Sequence, residues 1–365
     1  MVIARAVEAA LLRTTRDAGG PVSGRALELH RQVPVVDLLV GTVLFRRTFL
    51  EPAGRGHVDL PRLRAGGVRL VGMSIATRFP DLQGTLSAVQ FLSLGVPPRL
   101  LRSDLALVRE FVRRIDEWSS TSRGAFRVVR TGADLDVVLA PGGPVGAFVG
   151  VQGAQALQGD PRNVARLQAM GVRMLSLAHV MDNAMAGSGT GRRAGGLTPP
   201  GRLALAEAER VGVLVDLAHA SSRTIRDAVA LATVPPVLSH TGFVERAGSR
   251  SRWRRYSAAT RNVHVADARL VAEAGGVVGV TAAAQLLGGE SVRDFVDALR
   301  FAIDELGPDH VAIGSDMDGA LRTVIDAAGM PRVTDGLLAA GVRDDVVAAV
   351  LGANAIHALR RVLPG

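Results

Sequence analysis

Two residue types are missing from this 365-residue chain, cysteine and lysine. Without cysteine there is no disulfide framework, no thiolate zinc site and no cysteine nucleophile. Without lysine there is no Schiff-base chemistry, no Walker lysine and no carboxylated lysine of the kind some two-metal hydrolases use. All 43 basic residues are therefore arginine. Aromatic residues are scarce at 4%, so the formal charge of +9 comes without the stacking platforms that single-stranded nucleic acid needs. The arginines are scattered apart from a short cluster at Arg250, Arg252, Arg254 and Arg255, and no nucleic-acid partner is expected. Long apolar runs are lacking too: nothing approaches the ~20 residues of a membrane span. The opening MVIARAVEAALLRTTRD is interrupted by Arg5, Glu8 and Arg13, unlike a secretion signal. The expectation is a cytoplasmic protein with no membrane partner.

What the chain does have is 48% hydrophobic residues, arranged in short Val/Leu-rich runs at 33–39, 69–74, 146–151, 174–178, 214–218, 237–239, 277–281 and 311–315. Runs this short and this apolar suit a parallel sheet covered on both faces. Amphipathic helical patterns lie between them at 101–118, 161–170, 200–211, 222–231, 265–274 and 291–306. Strand-like runs alternating with helical crossovers predict an α/β fold, a (β/α)8 TIM barrel. It is expected to occupy 1–365 as one domain, with a helical extension at 1–32 and a closing helix at 342–365. A doubly wound sheet is the alternative, because strand order is invisible in sequence. Gly/Pro-rich stretches at 140–144 and 186–196 read as loops.

Three polar residues sit just past or at the end of apolar runs: His219 after VLVDLA, His240 after PPVLS, and Asp316 in VAIGSD. In a barrel all three project at the C-terminal face, where active sites are built. Two imidazoles and a carboxylate suit zinc or a similar divalent ion. A histidine at one strand end is usually hydrogen-bonded structure; its repetition at several strand ends is the signal. His179 closes a fourth run, MLSLAH, where it could bind substrate or donate to a developing oxyanion. His57 and Asp59 copy a metal-ligand spacing but read as a solvated pre-helix turn with Asp59 as N-cap. Asp318 reads as a loop-turn residue, and His30, His264, His310 and His357 as surface.

The blocks LQAMGVRMLSLAH, GLTPPGRLALAEAERVGVLVDLAHAS, VPPVLSH, RNVHVADARLVAEAGGVVGV and HVAIGSDMDG resemble the membrane (renal) dipeptidase family, in order, over about 33–363. The resemblance implies a zinc-dependent, amidohydrolase-like barrel that hydrolyses dipeptides and is often a homodimer. It implies that His219 and His240 hold the second of two metal ions, that Asp316 is the last-strand carboxylate, that His179 contacts substrate, and that Arg261 steadies the substrate or transition state. The chain also departs from the family. Where the first strand would end in Asp-Gly-His-x-Asp, this sequence has Asp37 followed by Leu39 and Gly41 in place of the His and the second Asp. Gln152 stands where a bridging glutamate would, and a neutral amide does not bridge two cations as a carboxylate does. The resulting expectation is a dipeptidase-like hydrolase of altered activity, acting on a dipeptide or small amino-acid-derived amide. At most one zinc ion is expected, on His219 and His240, with Gln152 or Asp316 as a third ligand. A metal-free barrel enzyme using Asp316 and His179 as acid and base, or a non-catalytic binding or scaffold protein, is the alternative.

Overall fold

The computed structural model describes residues 12–15, 20–45, 47–78, 92, 96–247 and 257–365. The arginine cluster at 250–255 and residues 1–11 and 16–19 of the expected extension at 1–32 fall outside them. Nine parallel strands are present among these residues: β1 (Val35–Val40), β2 (Val68–Ala76), β3 (Phe126–Val128), β4 (Val145–Gln152), β5 (Val172–Ser176), β6 (Leu214–Asp216), β7 (Val237–Thr241), β8 (Val277–Val280) and β9 (Val311–Ile313). They run in the order β2-β1-β9-β8-β7-β6-β5-β4-β3, and β2 also pairs with β4. That pairing closes eight of the strands into a barrel and rules out the open, doubly wound alternative. The ninth, β3, lies beside the start of β4, with Phe126 opposite Val145. Its three residues, with Arg127 exposed in the middle, are too short and mixed to register as an apolar run.

One apolar cluster takes Val36, Leu38, Leu70, Phe148, Met174, Leu214, Val237, Val277 and Ala312, side chains from all eight barrel strands. Residues contributed by every strand of a closed sheet mark the barrel interior. A larger cluster joins the other strand faces to the surrounding helices. Local signals place those helices. Thr198 caps the helix Pro199–Val211, which stops at Gly212 in the left-handed region, and Ser291 with Asp294 forms a capping box for Val292–Leu306.

The closing segment differs from the plain helix expected at 342–365. It runs from Asp344 to Arg360 but widens into a π-helical turn at Ala349–Ala353. A Cβ on Gly352 would lie 1.8 Å from the Pro34 carbonyl oxygen, so glycine lets this turn press on the chain just before β1. The Asn354 amide then donates to the carbonyls of Pro308 and Val311, both at 2.8 Å. At the other end, Thr14 bridges to Thr323 in an extended contact, while Gly24–Gln32 is helical. His30 on that helix is not at the surface. It is 5% exposed, bonded to Thr334 and to the Gly66 carbonyl, and burial lowers its pKa. Among the described residues no helix is long and apolar enough to cross a membrane.

Candidate functional site

Parallel strands all end on the same side of a barrel, and the polar residues singled out in the sequence cluster there. Gln152 ends β4, His179 and His219 each follow by three residues the ends of β5 and β6, and His240 lies in β7. Asp316 follows β9 by three residues, and Arg261 ends the short helix Ala258–Arg261. His219 and Asp316 have left-handed backbones, with φ of 65° and 60°, uncommon for non-glycine residues and typical of functional strand ends. The 186–196 loop braces the mouth. Ser188 donates its hydroxyl to the His179 carbonyl, and the Gly189 N–H donates to the His219 carbonyl at 2.9 Å.

Three imidazoles stack edge to face through this mouth, His179 against His219 at 4.5 Å between ring centroids and His219 against His240 at 4.9 Å. The Nε2 atoms of His219 and His240 face each other at 3.0 Å. Two nitrogens bound tetrahedrally at zinc distances would sit about 3.3 Å apart, so the pair has the spacing of two ligands on one ion. Asp316 does not join them. Among the described residues no three His, Asp or Glu side chains gather closely enough to hold a metal ion. The Asp316 carboxylate lies against its own loop, so close that a Cβ on Gly319 would be 1.9 Å from Asp316 Oδ1. Gln152 is buried at the same end of the barrel, its Oε1 without a partner among the described residues.

Burial and the Arg261 charge together lower all three histidines, His179 to about 4 and the other two well below the usual range. They are neutral at pH 7. The His179 Nδ1 lies 3.2 Å from the Arg78 carbonyl, an acceptor, so the ring proton is on Nδ1 and Nε2 keeps a lone pair. His179 in this form accepts a proton; donating to an oxyanion, the role expected from sequence, requires it to be protonated first. Asp316 is raised to about 7, by burial and by nearby Asp37 against the pull of Arg261. Arg261 itself is 3% exposed. It spends one N–H on the His240 carbonyl at 3.0 Å, and its Nε and second terminal nitrogen have no partner among the described residues. A buried guanidinium with spare donors is suited to an anion.

Two carboxylates behind the site escaped the sequence reading, one wholly and one in its role. Asp216 Oδ1 accepts the N–H groups of Ala218 (2.9 Å) and Ser239 (2.8 Å), and its Oδ2 accepts the hydroxyls of Ser239 (2.7 Å) and Ser176. Asp37 repeats the arrangement: Oδ1 accepts from Leu39 (3.2 Å) and Ser315 (2.9 Å), and Oδ2 from the Ser315 hydroxyl. Burial raises Asp37 to about 6 against these bonds. A visible signal existed, since both serines directly precede a site residue, in Ser239–His240 and Ser315–Asp316.

His57 departs from expectation, and Asp318 has more partners than a turn residue needs. Asp318 lies in a turn as expected, but His57 is not solvated; both are fully buried, as is Asp59, which does cap the helix Leu60–Ala65. Asp318 accepts from Thr42 Oγ1 (2.8 Å), from the His57 N–H (2.8 Å) and from the Arg47 guanidinium. The Asp318 N–H returns to His57 Nδ1 at 3.1 Å. This cluster fixes the 318–319 backbone against Gly41, where a Cβ would lie 2.4 Å from the Asp318 carbonyl oxygen and 3.3 Å from Gly319 Cα. Gly41 has φ −93° and ψ 10°, a conformation open to alanine, so backbone strain adds nothing to the cost of Gly41→Ala and the overlap acts against the gain from a stiffer unfolded chain. We expect it to destabilise by about 1–3 kcal/mol, read from denaturant midpoints. An unchanged midpoint would mean that the 318–319 segment gives way freely.

Residues 23–363 match the family described as Membrane dipeptidase (Peptidase family M19). The chain is 26% identical over 316 residues to the dipeptidase verJ of Clonostachys rogersoniana, covering 84% of this chain and 76% of that protein. It is 27% identical over 320 residues to the dipeptidase tcpJ of Claviceps purpurea, covering 84% and 69%. Among solved structures it resembles a metallopeptidase of Rhodobacter sphaeroides bound to a phosphinate mimic of the dipeptide L-Ala-D-Ala, at TM-score 0.75 and 25% identity over 90% of this chain and 99% of that one. With a closed barrel, histidines at successive strand ends and a family match over nearly its whole length, this chain belongs to the membrane dipeptidase family.

Proposed function

We propose that the protein is a hydrolase acting on a dipeptide or small amino-acid-derived amide, with a metal centre reduced to at most one zinc ion. The observation that carries this is the facing pair of imidazoles, His219 and His240, Nε2 to Nε2 at 3.0 Å, beside a buried arginine with unspent donors. This pair suits one divalent ion, with the unpartnered Gln152 Oε1 at the same end of the barrel as a candidate oxygen. It does not fit two. Leu39 offers no donor, and at position 41 the direction a carboxylate side chain would take is filled by the backbone of 318–319.

An ion at the histidine pair would supply Lewis-acid polarisation of a carbonyl and acidify a water. The chain's own residues supply the rest. Arg261 binds and orients an anionic group, such as the terminal carboxylate of a dipeptide. His179 Nε2 takes up a proton, and Asp316, raised to about 7, is able to hold one near neutrality and return it to a leaving amine. The relative that carries a dipeptide mimic makes L-Ala-D-Ala the first substrate to assay.

The test is metal analysis of the purified protein combined with a dipeptide panel. About one equivalent of zinc, lost in His219→Ala, together with dipeptide turnover, is the expected result. Two equivalents would overturn the reduced centre. A second reading, a metal-free barrel enzyme using Asp316 and His179, draws on the want of a three-ligand cluster among the described residues. Turnover that survives both chelation and His219→Ala would favour it.

A further inference from the structure

We infer that Asp216, acting through Ser239, is a positioning residue that dictates which ring nitrogen of His240 faces the site. A serine hydroxyl has one proton. Ser239 Oγ lies 2.7 Å from Asp216 Oδ2 and 2.8 Å from His240 Nδ1. The carboxylate oxygen cannot supply a proton, so the hydroxyl donates to Asp216 and accepts from His240. The proton of neutral His240 is thereby on Nδ1, and its lone pair is on Nε2, aimed at His219.

Asp216 is well placed to impose this choice. It is fully buried, and two backbone N–H groups hold its other oxygen, so the carboxylate cannot turn away. One of those N–H groups belongs to Ser239 itself, which fixes the distance between carboxylate and hydroxyl. A carboxylate–serine–imidazole chain does here what a direct carboxylate contact does behind many ligating histidines: it fixes tautomer and orientation and raises ring basicity.

His219 has no equivalent support. Its Nδ1 is buried without a partner among the described residues. Facing a lone pair on His240, His219 Nε2 carries the proton in the metal-free protein. Of the two rings, His240 is preset to offer its lone pair and His219 has to shift a proton to an unsupported nitrogen before it can do so.

The second carboxylate provides an internal control. Ser315 makes the same contacts to Asp37 that Ser239 makes to Asp216, but its hydroxyl does not touch His240. Ser239→Ala removes the link to the ring and leaves Asp216 its two N–H donors and Ser176, whereas Asp216→Asn would disturb four hydrogen bonds at once. The measurement is the nitrogen chemical shifts and long-range proton couplings of the His240 ring, by NMR on metal-free protein. Wild type and Ser239→Thr should show the Nδ1–H form of His240. Ser239→Ala should lose it in favour of a mixture or the Nε2–H form, while Ser315→Ala keeps the wild-type pattern. An unchanged His240 in Ser239→Ala, or an equal change in Ser315→Ala, would overturn the inference.

A second readout rests on the ion-holding role proposed above. Zinc affinity, measured by competition with a chromogenic chelator, should fall about 10–100-fold in Ser239→Ala and much less in Ser315→Ala. If wild type takes up no zinc, the one-ion reading fails, and the NMR result still decides the role of Asp216. If wild type takes up zinc and Ser239→Ala binds it equally well, the positioning role fails and the one-ion reading stands.

Discussion

Asp318→Ala is expected to lose about 3–5 kcal/mol of folding stability, the range for removing one partner of a buried ion pair. Asp318 is fully buried and the Arg47 side chain is 5% exposed, so the substitution strands a guanidinium away from water and also frees Thr42 and the His57 N–H. Thr42→Val, which removes a single neutral donor, should cost only about 1 kcal/mol. Urea unfolding of the two variants against wild type tests the contrast, and equal midpoints for both would sink it. Burial alone would raise the Asp318 carboxyl, but the contacts from His57 and the Arg47 charge outweigh it and hold the pKa well below the usual range. A carboxylate depressed in the folded state contributes its stability above the unfolded pKa and loses it as pH falls through the folded one. The Asp318 contribution should therefore be intact at neutral pH and disappear only in strong acid. The stability gap between wild type and Asp318→Ala should be constant from neutrality to about pH 5 and close at the acid end.

Arg261→Ala is expected to reduce kcat/KM on a dipeptide by about 100- to 1000-fold, the scale of losing a preorganised charge-stabilising donor in a buried site. The prediction has a second arm that needs no substrate. The Arg261 charge lowers His179, His219, His240 and Asp316 alike. Its removal should raise all four, moving the histidines back toward ordinary values and Asp316 further above about 7. An NMR titration of the ring resonances of the variant should show this upward move. Rings that titrate as in wild type would show that the guanidinium does not act on the site.

The barrel was legible because its eight strands are short, apolar and bounded by helical patterns, and a strand buried on both faces has little freedom to look otherwise. The end-of-strand histidines were legible for the same reason, since a polar residue at the edge of such a run stands out. What could not be read was contact between segments far apart in the chain. Asp216 looks like one more strand residue until Ser239 from the next strand is laid against it. His57 looks like part of a surface turn because Asp318, whose carboxylate accepts its N–H, comes 261 residues later. The third ligand anticipated at Asp316 depended on where a side chain points, which sequence spacing does not fix; the carboxylate lies close against Gly319 of its own loop. The π turn was hidden because glycine at 352 reads simply as a weak helix residue until the Pro34 carbonyl is set beside it.

The contact between Gly41 and the 318–319 backbone imposes an order on sequence change. A carboxylate introduced at position 41 alone meets a carbonyl already in its path. A change that relaxes the Arg47–Asp318 clamp first gives up several kcal/mol before any new ligand can be gained. Positions 41 and 318 are therefore coupled: what side chain position 41 can carry depends on the backbone that the contacts of Asp318 hold in place.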